Sequence, residues 1–141
     1  MAHALRQLRA NDDVRRISAA DASPVALLAS TLRTRWSAAT SVDEKAWSAD
    51  NPAWGQCAVT SLVVQDRFGG CLLRARFNGT THYWNRLPSG EEVDLTREQF
   101  GAVADFPEGE ERDRDYVLSF PDTARRYRLL VESVQGQVVS R

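Results

Sequence analysis

Apolar residues along the chain follow two periodicities, and the switches between them mark out the elements. Behind Ser23-Pro24, an N-cap followed by proline at the first helical position, Val25, Leu28, Ala29, Leu32 and Trp36 recur at helical spacing. A helix burying one stripe is expected there. From Ser37 to Trp54 the pattern dissolves into Ser, Thr, Asp, Asn and Pro, a long loop of the kind that carries function in compact domains. Gln56 to Phe68 is apolar on more than one face, with Val59, Leu62 and Val63 on one side and Val64 and Phe68 towards another. That pattern predicts a central helix packed between other elements, ended by Gly69-Gly70.

The period then shortens to two. Cys71–Phe77 reads as a strand, Asn78-Gly79 as a two-residue hairpin turn, Thr80–Leu87 as a second strand and Glu91–Leu95 as a third. Thr96–Phe100 predicts a short helical turn. The acidic stretch 105–115 is expected to be a solvated loop, and Tyr116-Val117-Leu118 a fourth strand. Asp122 or Thr123 caps a last helix, in which Ala124, Tyr127, Val131 and Val134 keep helical spacing before Gly136. Residues 1–20 are expected to be a polar arm, as a short helix or loose chain, and 21–141 one domain. The expected fold class is α+β: a central helix on an antiparallel meander, with flanking N- and C-terminal helices.

Turn chemistry sets the register of the second and third strands. Pro88-Ser89-Gly90 suits a three-residue loop, with proline in a type I turn and glycine in the left-handed position after it. That loop pairs Leu87 with Glu91 and sets Trp84 against Asp94, so His82 lies on the same sheet face as Asp94, one diagonal away. A two-residue Ser-Gly loop would instead set Asn85 opposite Asp94.

Composition narrows the function classes. In 141 residues, 18 Lys+Arg face 19 Asp+Glu, so no bulk charge draws the chain to nucleic acid or to a membrane surface. The basic pairs Arg15-Arg16 and Arg125-Arg126 read as solvated helix faces. No apolar run reaches the ~18 residues that span a bilayer, and Met1–Arg16 lacks a signal-peptide core, so a cytoplasmic protein is expected. Two cysteines, Cys57 and Cys71, make no disulfide framework.

Candidate chemistry follows from chain order. Cys57 stands at a helix start, His82 on a strand and Asp94 on the next strand: a nucleophile, a base and a group to orient the base. The N–H groups and dipole of the helix end favour a thiolate. The backbone N–H of Cys57 and the side-chain amide of Asn51 or Gln56 are the candidates for holding an oxyanion. Trp54, Trp84 and Asn85 are the candidates for lining a substrate groove. Each residue has a plainer reading beside this one. Cys57 as a small buried hydrophobe, Asp94 as a turn acid for Thr96–Phe100, and the tryptophans as core all fit the same sequence. Cys71 reads as core.

A cysteine-headed buried helix followed by a sheet that supplies histidine and then an acid resembles the papain-like and transglutaminase-like cysteine enzymes. Their order of Cys, His and Asp/Asn falls on Cys57, His82 and Asp94. The segments NPAWGQC (51–57), THYWNRLPSG (81–90) and EVDLTREQF (92–100) are similar to the small bacterial YunG family, over about a third of the chain. The YunG resemblance bears on the fold more than on an activity, whereas the papain-like resemblance implies a papain-like fold and a cysteine-dependent hydrolase or acyltransferase acting on an amide or thioester. Its partner would be a small-molecule or peptide substrate, with no cofactor and no metal. A catalytically silent binding module for a peptide or metabolite is the alternative. A thiol redox role is disfavoured, because the chain has no CxxC pair. Papain-like enzymes carry an oxyanion glutamine several residues before the cysteine, where this chain has Asn51.

Overall fold

The computed structural model describes residues 23–101 and 105–139, so the expected polar arm at 1–20 lies outside the described residues. Contacts divide the chain into two units, Met1–Ser30 and Thr31–Arg141. Helix α1 (Pro24–Arg35) begins in the first unit, where Ser23 Oγ accepts the Ala26 N–H at 3.1 Å and so caps the helix one residue before its proline. The second unit carries the remaining elements.

Within that unit a four-stranded antiparallel sheet runs in the order β3-β2-β1-β4, made of β1 (Cys71–Phe77), β2 (Thr80–Arg86), β3 (Glu92–Val93) and β4 (Glu110–Arg112). The β1–β2 hairpin turns on Asn78 (φ 51°) and Gly79 (φ 76°), a left-handed pair that asparagine and glycine tolerate. Between β2 and β3 the three-residue loop closes as turn chemistry predicts. Leu87 N–H donates to the Glu91 carbonyl at 2.8 Å, and Asn85 pairs with Val93. The observed third strand is shorter than expected, at two residues.

Two expectations beyond Phe100 are corrected. The fourth strand is not Tyr116-Val117-Leu118; those residues lie in a short helix, α3 (Arg114–Leu118), with Val117 fully buried. The edge strand is instead Glu110–Arg112, inside the stretch read as solvated loop, and it pairs Leu73 with Glu111 on β1. A short charged strand at a sheet edge carries no apolar alternation, because its side chains face water and its charges discourage further pairing.

Helix α2 (Cys57–Phe68) packs on one face of the sheet and against the long closing helix α4 (Pro121–Val139). Val59, Leu62, Val63 and Val64 are all buried, which is why the sequence shows no single polar face. One core cluster joins Cys57, Leu62, Leu72, Tyr83 and Val117. On the opposite sheet face Leu73, Ala75 and Trp84 pack with Phe106. Alternation along β2 therefore separates Tyr83 and Asn85 from His82 and Trp84.

Candidate functional site

Cys57 occupies the first position of α2. The N-cap residue, Gln56, makes no side-chain cap, and the first helical bond runs from Thr60 N–H to the Gln56 carbonyl at 3.0 Å. The N–H groups of Cys57, Ala58 and Val59 therefore head the helix without intrahelical acceptors. The approach to this position is tightly fixed. Gly55 has φ +73°, and a Cβ there would fall 2.1 Å from Ser41 Oγ and 2.9 Å from Val42 N. Only glycine lets the loop close so near the thiol, and Val42 N–H then donates to the Gly55 carbonyl at 3.0 Å.

His82 is completely buried. Its Nε2 lies 2.6 Å from Asp94 Oδ2, the diagonal contact that the turn register implies. Asp94 does two things at once: Oδ1 accepts the Thr96 N–H at 3.2 Å, while Oδ2 also takes Arg97 Nε at 2.8 Å. The two readings of Asp94, turn acid and partner of His82, thus coexist in one carboxylate. Burial pulls the His82 pKa down, but the Asp94 hydrogen bond, the neighbouring Cys57 and the Asp94 charge outweigh it, and the ring is pushed up to about 9. Its ring is walled by Trp84, Phe100 and Phe106, with centroids at 5.6, 4.9 and 5.3 Å.

With Nε2 committed to Asp94, Nδ1 is the nitrogen left for other work, and it is buried without a hydrogen-bond partner. Cys57 approaches β2 from the α2 side, and its Sγ donates weakly to the Thr81 carbonyl at 3.8 Å. The thiol is close enough for its hydrogen bonding and charge to help push His82 up, yet its geometry falls short of a formed Sγ–Nδ1 bond. The histidine–carboxylate half is assembled, and the cysteine–histidine half stands open. Such bonds are often loose until substrate arrives.

A cavity of about 220 Å³ opens at the head of α2, lined by Cys57, Ala58, Tyr83, Tyr116, Arg74 and Arg126 among others. Several expected site residues do not reach it. Trp84 is 2% exposed, on the far sheet face, with Nε1 bonded to Glu92 at 2.8 Å. Asn85 does face α2, but its Nδ2 is spent on the Ser61 carbonyl at 2.9 Å. Trp54 turns away to Asp43, at 3.3 Å. The oxyanion amides are corrected as well. Gln56 is buried between Thr40 and Ser37, accepting from one at 2.8 Å and donating to the other's carbonyl at 2.9 Å, and Asn51 Nδ2 donates to the Gln99 carbonyl at 3.3 Å. Both amides pin the loop instead of facing the thiol. Of the 37–54 loop, Val42 is the residue in the cavity wall.

Sequence reasoning passed over Gln99, Arg74, Arg126 and the 116–123 segment. Gln99 is buried, accepts the Gly55 N–H at 3.1 Å and keeps an unpartnered Nε2. Arg126, read as part of a solvated basic pair, is 2% exposed. Its Thr123-side spacing with Leu130 and Val134 on α4, at i, i+4 and i+8, was the available signal. Cys71, read as core, is half-buried, and its thiol bonds Glu111 at 3.2 Å, which pushes its pKa up. Among the described residues no group of three His, Cys, Asp or Glu side chains could hold a metal ion, and no helix is long and apolar enough to cross a membrane.

The family model for YunG protein matches residues 24–139. Uncharacterized protein YunG from Bacillus subtilis (strain 168) is 40% identical over 60 residues, 43% of this chain and 51% of the relative. The chain thus spans about half the length of that curated relative. No solved structure matches it significantly.

Proposed function

We propose that this chain, which belongs to the YunG family, is a cysteine-dependent acyl-transfer enzyme with a papain-like arrangement. The observation that carries the reading is the fully buried His82, held at 2.6 Å by Asp94, whose free Nδ1 is turned to no other partner while Cys57 heads a helix beside it. A histidine on the surface gains little from a carboxylate. A buried one held with a single free nitrogen is costly to keep and suited to moving a proton.

In this mechanism Cys57 rotates away from the Thr81 carbonyl, and its proton passes to His82 Nδ1. Sγ then attacks the carbonyl carbon of an amide or thioester. The N–H groups of Cys57 and Ala58 at the head of α2 face the developing oxyanion, a term worth roughly 2.7–4 kcal/mol per donor in such sites. The charged ring returns its proton to the leaving amine or thiol as the tetrahedral intermediate collapses to an acyl-cysteine. Water or an amine then takes the acyl group and regenerates the thiol. Asp94 keeps the ring oriented throughout, fixing Nε2 so that Nδ1 is the working nitrogen.

A second reading, a binding module with a silent Cys–His pair, is favoured by the Thr81 bond that occupies Sγ. Turnover of a panel of acyl-thioesters and peptide amides separates the two. Loss of turnover in Cys57→Ser with an unchanged circular-dichroism spectrum supports the enzyme. Turnover unaltered by that substitution refutes Cys57 as nucleophile.

A further inference from the structure

Two arginines line the cavity beside Cys57, and no aspartate or glutamate does. Arg126 is buried at the base of α4. Its Nε donates to Asp122 at 2.8 Å, Nη1 to the Thr40 carbonyl at 3.2 Å and Nη2 to Thr123 Oγ1 at 3.3 Å. Those three bonds leave part of its fork of five donors unused. Asp122 does not cancel the charge alone, since it lies more than half exposed and is shared with Arg125.

Arg74 comes from β1 on the other side of the cavity. Its Nε is buried without a hydrogen-bond partner, and among the described residues no carboxylate pairs with it. Its charge bears on the neighbouring Tyr83, whose pKa burial pushes up and Arg74 pulls down. A buried guanidinium N–H without an acceptor is costly, and the unpartnered helix-head N–H groups of α2 add positive potential to the same space. The remaining walls are mostly apolar, and Tyr116 and Phe120, stacked edge to face at 5.5 Å, stand exposed at the rim.

Size limits the occupant. About 220 Å³ is roughly the room of seven waters and falls below the 300–1,000 Å³ of sites for drug-sized ligands. We propose that this cavity binds a short acyl group that ends in a carboxylate. The carboxylate sits on the forks of Arg74 and Arg126, the methylene stem lies along the aromatic and aliphatic wall, and the acyl carbon is presented to Cys57. The substrates are then amides or thioesters of short dicarboxylic acids. This substrate class rests on the acyl-transfer reading of Cys57, while the carboxylate site itself does not.

The test is binding of glutarate to the full chain, followed by NMR titration or calorimetry, with glutaramide as the neutral isostere and inorganic phosphate as the other anion that guanidinium forks hold. Glutarate is expected to bind saturably and at least tenfold more tightly than either control. Arg74→Gln should weaken this binding at least tenfold. Equal binding of glutarate and glutaramide by the wild-type protein overturns the proposal without recourse to any variant, as does tighter binding of phosphate. Glutarate binding without turnover of any thioester or amide would keep the carboxylate site and remove the acyl-transfer reading. Turnover with no preference for carboxylate-bearing substrates would do the reverse.

Discussion

His82, the base of the proposed mechanism, carries a pH signature. Asp94 and Cys57 together raise its pKa from 6.5 to about 9 against the pull of burial. A group whose folded pKa lies above its unfolded value stabilises the fold fully below the unfolded pKa and loses that contribution as pH rises through the folded one. Wild-type unfolding free energy should therefore fall between about pH 6.5 and pH 9, by on the order of 3 kcal/mol in excess of the change in His82→Gln. Denaturant midpoints at pH 6 and 9.5 measure it, and parallel slopes for the two proteins would contradict the assignment. Asp94→Asn should flatten the same window and, once a substrate is known, reduce turnover about 10²–10⁴-fold. At this scale the sequence showed the histidine, the acid and the thiol, because their order along the chain is itself information. It did not show where Asn51, Gln56, Trp84 and Asn85 point. Each has a partner more than five residues away or across the sheet, and such partners leave no local pattern.

Elements with strong local rules were legible. Asn78-Gly79 and Pro88-Ser89-Gly90 fix two turns, and with them the register that brings His82 to Asp94. The helix boundaries of α1 and α2 follow from Ser23-Pro24 and Gly69. The 105–118 stretch was misread because β4 is three charged residues long, and because a single buried valine in α3 gives no period to read. The loop before α2 offers a direct check on how the thiol is placed. Gly55→Ala puts a Cβ into Ser41 Oγ at a left-handed φ, so it should destabilise the protein by about 1–3 kcal/mol and slow Cys57 alkylation by iodoacetamide. An Asn51→Ala change, by contrast, removes one 3.3 Å bond to a carbonyl. It should alter turnover less than threefold, and a larger loss would return Asn51 to the oxyanion site.

Across the second unit, two sheet faces have separate jobs. One packs α2, with Cys57 and the cavity; the other shelters His82 beneath Trp84, Phe100 and Phe106. Cys57 reaches β2 at the Thr81 carbonyl, and the short β3 next to β2 holds Asp94 against His82. The chain belongs to the YunG family over residues 24–139. The most direct measurement is the intact mass of the protein after incubation with acyl-thioesters, dicarboxylic monothioesters among them, followed by mapping of the modified residue. The expected result is one acyl group on Cys57, absent in Cys57→Ser and formed more slowly in His82→Gln. Acylation of Cys71 in place of Cys57, or no adduct with any thioester in the panel, would contradict it.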